Sequence, residues 1–167
     1  MNNPDFTRRT AFIGMLAGLA FGLSYIEMLL PGLAIPGAKI GLSNLAVSAA
    51  LYLLSWKDAA MVSLVRILLS WLLFGSFTGM IYSLCGSALS LAVMAVLKKT
   101  VRFSPVGVSA AGGVCHNMGQ LAAAFFIMGR GVLGYLPSLI IFGIIAGGIV
   151  GVVCSGIIRA VSHASGR

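Results

Sequence analysis

The stretch TAFIGMLAGLAFGLSYIEMLL, residues 10–30, decides the fold class of this chain. Its only charged residue is Glu27, and at 1.5 Å per residue a helix of this length reaches across a hydrocarbon core of roughly 30 Å. Arg8 and Arg9 precede it as they would precede a signal peptide. The apolar run is too long for one, however, and no small-residue cleavage site leads into polar sequence. We interpret it as a retained first transmembrane helix.

Five further apolar stretches follow, and together they predict an all-α, six-transmembrane-helix bundle that forms a single domain over residues 1–167. Short breaks separate them, among them the polar pair Lys57 and Asp58 and the turn GSFTG at 75–79. Because the connections are short, consecutive helices are expected to be antiparallel neighbours. The predicted spans are 10–30, 39–56, 59–74, 80–97, 108–128 and 133–158.

The positive charges segregate to one side of this arrangement, as the positive-inside rule requires. They predict a multi-pass protein of the cell membrane with both termini in the cytoplasm, and they favour six spans over five or seven. The outer side receives only Lys39 and Arg130. The cytoplasmic side receives Arg8, Arg9, Lys57, Lys98, Lys99, Arg102, Arg159 and Arg167.

Composition excludes a water-soluble domain, because 59% of the residues are hydrophobic and only 8% are charged, against about 25% in soluble domains. The net charge of +8 does not indicate nucleic-acid binding, since no basic face is interleaved with aromatic residues. Anionic membrane lipid is the expected partner of these cations. Cys85, Cys115 and Cys154 lack metal or disulfide spacing and are expected to be small core residues.

Two predicted helices carry a glycine every fourth residue. The first has Gly14, Gly18 and Gly22, and the sixth has a similar stripe at 143, 147 and 151. Small residues allow helix backbones to approach closely in lipid, where no hydrophobic force drives helices together. Each stripe is therefore interpreted either as a packing face within the bundle or as an exposed docking face for another membrane protein.

Charged residues lie inside two predicted spans. Arg66 occupies the middle of the third span, where a charge costs roughly 2.5 to 3.5 kcal/mol, so it is expected to face a polar cavity or an anionic partner. Structural pairing with Glu27 and contact with an anion or substrate are both open interpretations. Glu27, near the outer end of the first helix, either reaches interfacial water or binds a ligand.

Polar residues also cluster on the fifth span and at the start of the second. His116 and Gln120 share one helix face with Asn117 beside them, which indicates interhelical hydrogen bonds or a ligand site rather than a metal site. The segment PGAKIGLSNL, residues 36–45, places Lys39 and Asn44 at a loop-to-helix junction. That junction predicts either an anionic or polar ligand at a helix N-terminus, or a capped helix with a lysine reaching the interface.

These residues carry a resemblance to a known family. PGAKIGLSNL, LYLLSWKDAAMVSLVRILLSWLLFGSF, IYSLCGSALSLAVM and GGVCHNMGQLAAAFFI occur in order over roughly two thirds of the chain. In them the chain resembles the Gx transporter or heptaprenyl diphosphate synthase component I family, whose relatives resemble substrate-binding S components of energy-coupling-factor (ECF) transporters.

The resemblance implies an S-component-like bundle with a substrate pocket near the outer face. It also implies a separate ECF-type membrane subunit and two ATPases as partners, docked on a first-helix motif where Gly14, Gly18 and Gly22 stand in place of the usual Ala. The expected ligand site contains Glu27, Lys39, Asn44, Arg66, His116, Asn117 and Gln120.

Chemistry argues against a catalytic role and against a bound cofactor. Prenyl diphosphate synthases hold magnesium with aspartate-rich clusters, whereas the only carboxylates here, Asp5, Glu27 and Asp58, are isolated from one another. No GxxxxGK[ST] loop is present, so ATP-driven transport needs another chain. The leading hypothesis is a non-ATPase, small-molecule-binding component of an uptake transporter. The alternative is a non-catalytic membrane subunit for isoprenoid or quinone metabolism or redox assembly.

Overall fold

The computed structural model describes residues 4–29, 41–100 and 103–164, and these residues form six α-helices and one short 3₁₀ helix, with no strand among them. The predicted all-α membrane bundle is confirmed. The α-helices are α1 (Pro4–Leu29), α2 (Asn44–Leu53), α3 (Trp56–Phe74), α4 (Phe77–Lys99), α5 (Pro105–Met128) and α6 (Leu136–Ala164). The 3₁₀ helix, Arg130–Tyr135, lies between α5 and α6.

Among the residues that the structure describes, three helical stretches are long and apolar enough to cross a membrane, namely Phe6–Leu29, Phe77–Lys99 and Arg130–His163. Large apolar side chains face outward, as surfaces in contact with lipid require; Leu72 and Phe126 are 73% and 84% exposed. The helices α3 and α5 have 19 and 24 residues but carry Arg66 and the His116 group. Six spans and the orientation of the termini therefore remain predictions.

The second helix differs most from its predicted span, 39–56. The observed α2 has ten residues and is about 15 Å long, half of the hydrocarbon thickness. Every side chain from Ala46 to Leu51 is buried, and α2 packs against α1, α3 and α6. It is an internal helix of the bundle. The first part of the predicted span, with Lys39, lies outside the described residues.

Three helices start earlier in the sequence than the hydrophobic pattern predicts, because a serine caps the N-terminus of each. Ser55, Ser76 and Ser104 precede α3, α4 and α5, and each accepts a hydrogen bond from the backbone N–H three residues later. Consequently Lys57 and Asp58, which the sequence analysis places in a turn, belong to the first turn of α3. The chain turns instead at Leu54 and Ser55.

Two contacts gather charged residues at one end of the bundle. Arg9 near the start of α1 forms an ion pair of 2.8 Å with Asp58 at the start of α3. Lys98 near the end of α4 donates to the carbonyl oxygen of Leu51 in the last turn of α2 and lies 5.2 Å from the Tyr52 ring centre. A cation at a helix C-terminus is electrostatically favourable. Only Leu54 and Ser55 separate α2 from α3, so Arg9 and Lys98, two of the cations assigned to the cytoplasmic side, lie at the same end of the bundle.

The glycine stripe on α6 forms the contact with α5. A Cβ atom at Gly143 would lie 2.7 Å from the Cα of Val114, and one at Gly151 would lie 2.6 Å from the Cα of Val106. No larger side chain fits between these backbones, so this stripe packs within the bundle. Of the cysteines, Cys154 lies in the core as expected, whereas Cys115 is half-buried and Cys85 is exposed.

Candidate ligand-binding site

Arg66 is the centre of a buried hydrogen-bond network that joins four parts of the chain. Its side chain is 5% exposed. One terminal nitrogen, Nη1, donates to Ser43 Oγ at 2.8 Å and lies 3.5 Å from Ser24 Oγ on α1, while Nη2 donates to Ser87 Oγ on α4 at 3.0 Å. The guanidinium of α3 is therefore held by three neutral hydroxyls from other segments.

Glu27 reaches this network only through a serine. Its carboxylate accepts from the backbone N–H of Gly41, and its Oε2 lies 3.4 Å from Ser43 Oγ. Gly41 has a φ of 78°, a left-handed conformation that glycine adopts readily. Within the described ranges, the ion pair between Arg9 and Asp58 is the one salt bridge present, so Glu27 and Arg66 are linked by Ser43 rather than in direct contact.

Ser43 has an unusual role for its position. It is the N-cap residue of α2, yet its side chain makes no cap hydrogen bond, unlike the N-cap serines of α3, α4 and α5. Its hydroxyl is used instead by Arg66 and Glu27. The Ser43 side chain therefore does not cap α2.

A small cavity with several polar side chains in a mainly apolar wall lies beside this network, between α2, α4, α5 and α6. Its volume is about 20 Å³, which is room for about one water molecule. Residues at the start of α2 and glycines of α5 and α6 form part of its wall. The polar side chains that line it are Asn44, Ser48, Ser90, Ser109, His116 and Asn117.

Several polar atoms around the cavity are buried without a hydrogen-bond partner among the described residues. These are the hydroxyls of Ser90 and Ser109, both 3% exposed; Oε1 of Gln120, which lies outside the cavity lining, also has no partner among these residues. Asn117, in contrast, donates from Nδ2 to the carbonyl oxygen of Leu139 on α6 at 2.8 Å. Unsatisfied buried hydroxyls are costly, so a polar guest in this cavity would be stabilised by them.

The residues predicted from sequence fall into two adjoining groups. Glu27 and Arg66 belong to the serine network, and Asn44, His116 and Asn117 line the cavity. Gln120 is buried beside Gly86 of α4 but does not line the cavity. Lys39 lies outside the described residues. Residues 41–44 join the groups, since Gly41 both donates to Glu27 and borders the cavity.

Buried serines that were not among the residues predicted from sequence complete both groups. Ser83, Ser87 and Ser90 recur at intervals of four and three residues on α4, which places them on one helix face. All three are buried. A polar stripe of this kind in a long apolar helix was the available signal, and it points to the same interior as His116 and Asn117.

A second polar cluster lies away from the site, at the start of α3. Burial of Asp58 raises the pKa of its carboxyl, but hydrogen bonds from Arg9 and Ser55 and the charge of Arg9 outweigh this effect, and the pKa is lowered overall. Arg9 bonds the carboxylate through both Nε and Nη2. This cluster joins α1 to α3 and is structural.

The family described as heptaprenyl diphosphate synthase component I matches residues 16–157 of the chain. The chain belongs to this family. No curated protein and no solved structure matches it significantly. The component I match includes all of α2 to α5 and the parts of α1 and α6 that contribute to the Arg66 network and the cavity.

The glycine stripe of α1 differs from that of α6. Gly14 and Gly18 are exposed and Gly22 is half-buried, and a Cβ at any of the three would meet no described atom within 4 Å. The buried face of α1 contains Leu16, Ala17 and Ala20 instead. Within the described residues, the α1 stripe of this component I protein thus lies open.

Proposed function

We propose that this chain is a non-enzymatic membrane component that binds a small molecule within its helix bundle and serves an uptake system. The observation that carries the proposal is the continuous polar interior from Glu27 and Arg66, through residues 41–44, to His116 and Asn117. Polar groups inside an apolar membrane bundle are costly and are functional by default. A site of this kind suits a ligand with several hydrogen-bonding groups.

The placement of the carboxylates supports a non-catalytic role. Glu27 is engaged with Gly41 and Ser43, and Asp58 is engaged with Arg9 in the separate cluster at the start of α3. Magnesium chemistry on a diphosphate requires several oxygen ligands around one ion. These two carboxylates belong to different clusters and do not supply such a set.

The cavity must widen to admit a small molecule, because its present volume accommodates about one water molecule. The structure therefore corresponds to a closed form in this proposal. Widening would separate α2 from the α4 to α6 side, where hydroxyls of Ser90 and Ser109 have no partner among the described residues. A bound ligand would offset that opening by satisfying them.

Native mass spectrometry of the gently solubilised protein tests the proposal. We expect a retained small molecule in the unmodified chain, and loss of retention by at least tenfold in Arg66→Ala and in His116→Ala. Arg130→Ala is the control, because Arg130 is exposed on the 3₁₀ helix. Unchanged retention in both site variants would remove these residues from the site and overturn the proposal.

The family match favours a second candidate function. The family name describes a component of heptaprenyl diphosphate synthase, and a membrane subunit that accompanies a separate catalytic chain fits that name. In this case the open α1 face is the proposed docking surface, because small residues permit close helix approach. In the uptake reading the same face would receive an ECF-type membrane subunit with its ATPases.

Co-purification separates the two candidates. The accessory role is supported if a prenyl diphosphate synthase chain remains bound and makes products of a different chain length when this protein is present. A transporter membrane subunit with ATPases supports uptake. In either case we expect Gly18→Leu to reduce association by at least tenfold while leaving the fold intact, since a side chain there meets open space. Gly148→Leu is the control, at another open glycine, on α6.

A further inference from the structure

We infer that Arg66 and the serines around it bind an anionic oxygen group, a carboxylate or a phosphate, and that Glu27 competes with that group. The inference rests on the proposed function and names the ligand class for the same site. It depends on three observations: the acceptors of the guanidinium, the position of Glu27, and the shared hydroxyl of Ser43.

The guanidinium has donors in excess of its acceptors. Arg66 offers five N–H groups, and within the described residues its hydrogen bonds go only to neutral serine hydroxyls. Nε has no partner among the described residues although it is buried. A planar guanidinium matches carboxylate or phosphate oxygens through two parallel hydrogen bonds, which are roughly twice as strong as bonds between neutral groups. The missing complement is therefore an anion.

Glu27 is linked to Arg66 through the Ser43 hydroxyl, but its carboxylate does not contact the guanidinium. It accepts from the Gly41 N–H and contacts the Ser43 hydroxyl, ahead of the first turn of α2. A negative charge near a helix N-terminus is favourable, so Glu27 is stable there without touching Arg66. It balances the buried cation through the bridging Ser43 hydroxyl and leaves Nε of Arg66 without an acceptor among the described residues.

The Ser43 hydroxyl makes the two anions competitors. It has one proton, which it directs to Glu27 while its oxygen accepts from Arg66. An anion that binds Arg66 would either accept the Ser43 proton in place of Glu27 or be repelled by the negative charge of Glu27 on the other side of this hydroxyl. Removing the Glu27 charge should strengthen anion binding, whereas removing the Arg66 charge should abolish it. A purely structural role for Arg66 gives no such opposite response.

The test uses the full chain in nanodiscs of neutral phosphatidylcholine, with inorganic diphosphate and succinate as probes and the shift of the unfolding temperature as the measurement. We expect saturable stabilisation of the unmodified protein, roughly fivefold to tenfold tighter binding in Glu27→Gln, and at least tenfold weaker binding in Arg66→Gln. Arg66→Lys keeps the charge but lacks the fork, so its binding should also weaken. Arg130→Gln and Asp58→Asn are the matched charge controls.

A parallel arm distinguishes a soluble anion from a lipid headgroup. If discs containing phosphatidylglycerol, without free anion, stabilise the unmodified protein but not Arg66→Gln, the anionic group is a lipid phosphate, and the inference holds. Equal responses of the unmodified protein and Arg66→Gln in both arms, no response in either arm, or weaker binding in Glu27→Gln, would overturn it. A retained neutral molecule that is lost in His116→Ala but not in Arg66→Gln would overturn this inference and leave the proposed function standing.

Discussion

At the scale of single residues, Ser43 determines how the buried charge is accommodated. Ser43→Ala removes the 2.8 Å acceptor of Arg66 and the hydroxyl that faces Glu27. Since it leaves a buried cation with one acceptor fewer, we expect the free energy of unfolding to fall by about 1 to 3 kcal/mol. Denaturant titration in mixed micelles measures this change.

Ser63→Ala is the matched control for this prediction. Ser63 is also buried on the bundle interior, at 4% exposure, but its hydroxyl has no partner among the described residues. Replacing an unsatisfied hydroxyl by a methyl group should be neutral or slightly stabilising. Equal destabilisation by both substitutions would show that the Ser43 hydrogen bonds contribute nothing beyond packing.

The sequence predicts the charged members of the site but not the hydroxyls that hold them. A charge within an apolar span, such as Arg66, stands out because lipid cannot solvate it. A serine does not, because in a helix it commonly bonds its own backbone, as Ser24 does with the carbonyl of Ala20, or caps a helix end. Ser43 occupies a capping position and yet serves Arg66, and only the tertiary arrangement reveals this.

At the scale of helices, the cluster at the start of α3 makes stability depend on pH. The pKa of Asp58 is lowered in the folded protein, so its carboxylate contributes stability above the unfolded pKa, and this contribution is lost as the pH falls through the folded pKa. We expect the unfolding temperature of the unmodified protein to exceed that of Asp58→Asn at neutral pH. The difference should shrink below about pH 4. A difference that grows on acidification would contradict the ion pair.

The two glycine stripes should respond oppositely to the same substitution. Gly143→Ala places a methyl group against the α5 backbone, so the free energy of unfolding should fall by about 1 to 3 kcal/mol. Gly18→Ala meets open space, and the higher helix propensity of alanine should leave stability unchanged or raise it by up to about 1 kcal/mol. Comparison of the two unfolding curves checks both; destabilisation by Gly18→Ala would mean that α1 packs through its glycines.

Helix existence follows from sequence more readily than helix ends or depth. Apolar runs predict all six helices, because an apolar segment in lipid must satisfy its backbone hydrogen bonds internally, and a helix does so. The starts of α3, α4 and α5 depend on Ser55, Ser76 and Ser104, single residues that hydropathy does not weigh. The burial of α2 depends on its neighbours, because its alanines pack among α1, α3 and α6, and nothing in its apolar pattern distinguishes this from a spanning segment.

At the scale of the whole molecule, the question is whether α5 crosses the membrane. With 24 residues it is about 36 Å long, more than the hydrocarbon thickness, and its polar side chains His116, Asn117 and Gln120 are all buried against other helices. Lipid therefore need not solvate them, and α5 can span despite its moderate hydropathy. Lys99 and Arg130, which lie beyond its two ends, are then on opposite sides.

Reporter fusions after Lys99 and after Arg130 test this arrangement. We expect the first reporter in the cytoplasm. Lys99 adjoins Lys98, which contacts the end of α2, and Arg9 is paired with Asp58 at the start of α3. Positive charge therefore collects at this end of the bundle, as it does on the cytoplasmic side of membrane proteins. The second should be outside. Both reporters on one side would show that α5 does not cross, and the six-span prediction would fail. Opposite sides in the reverse sense would preserve the spans but invert the orientation, which would place the Arg66 network nearer the cytoplasmic face.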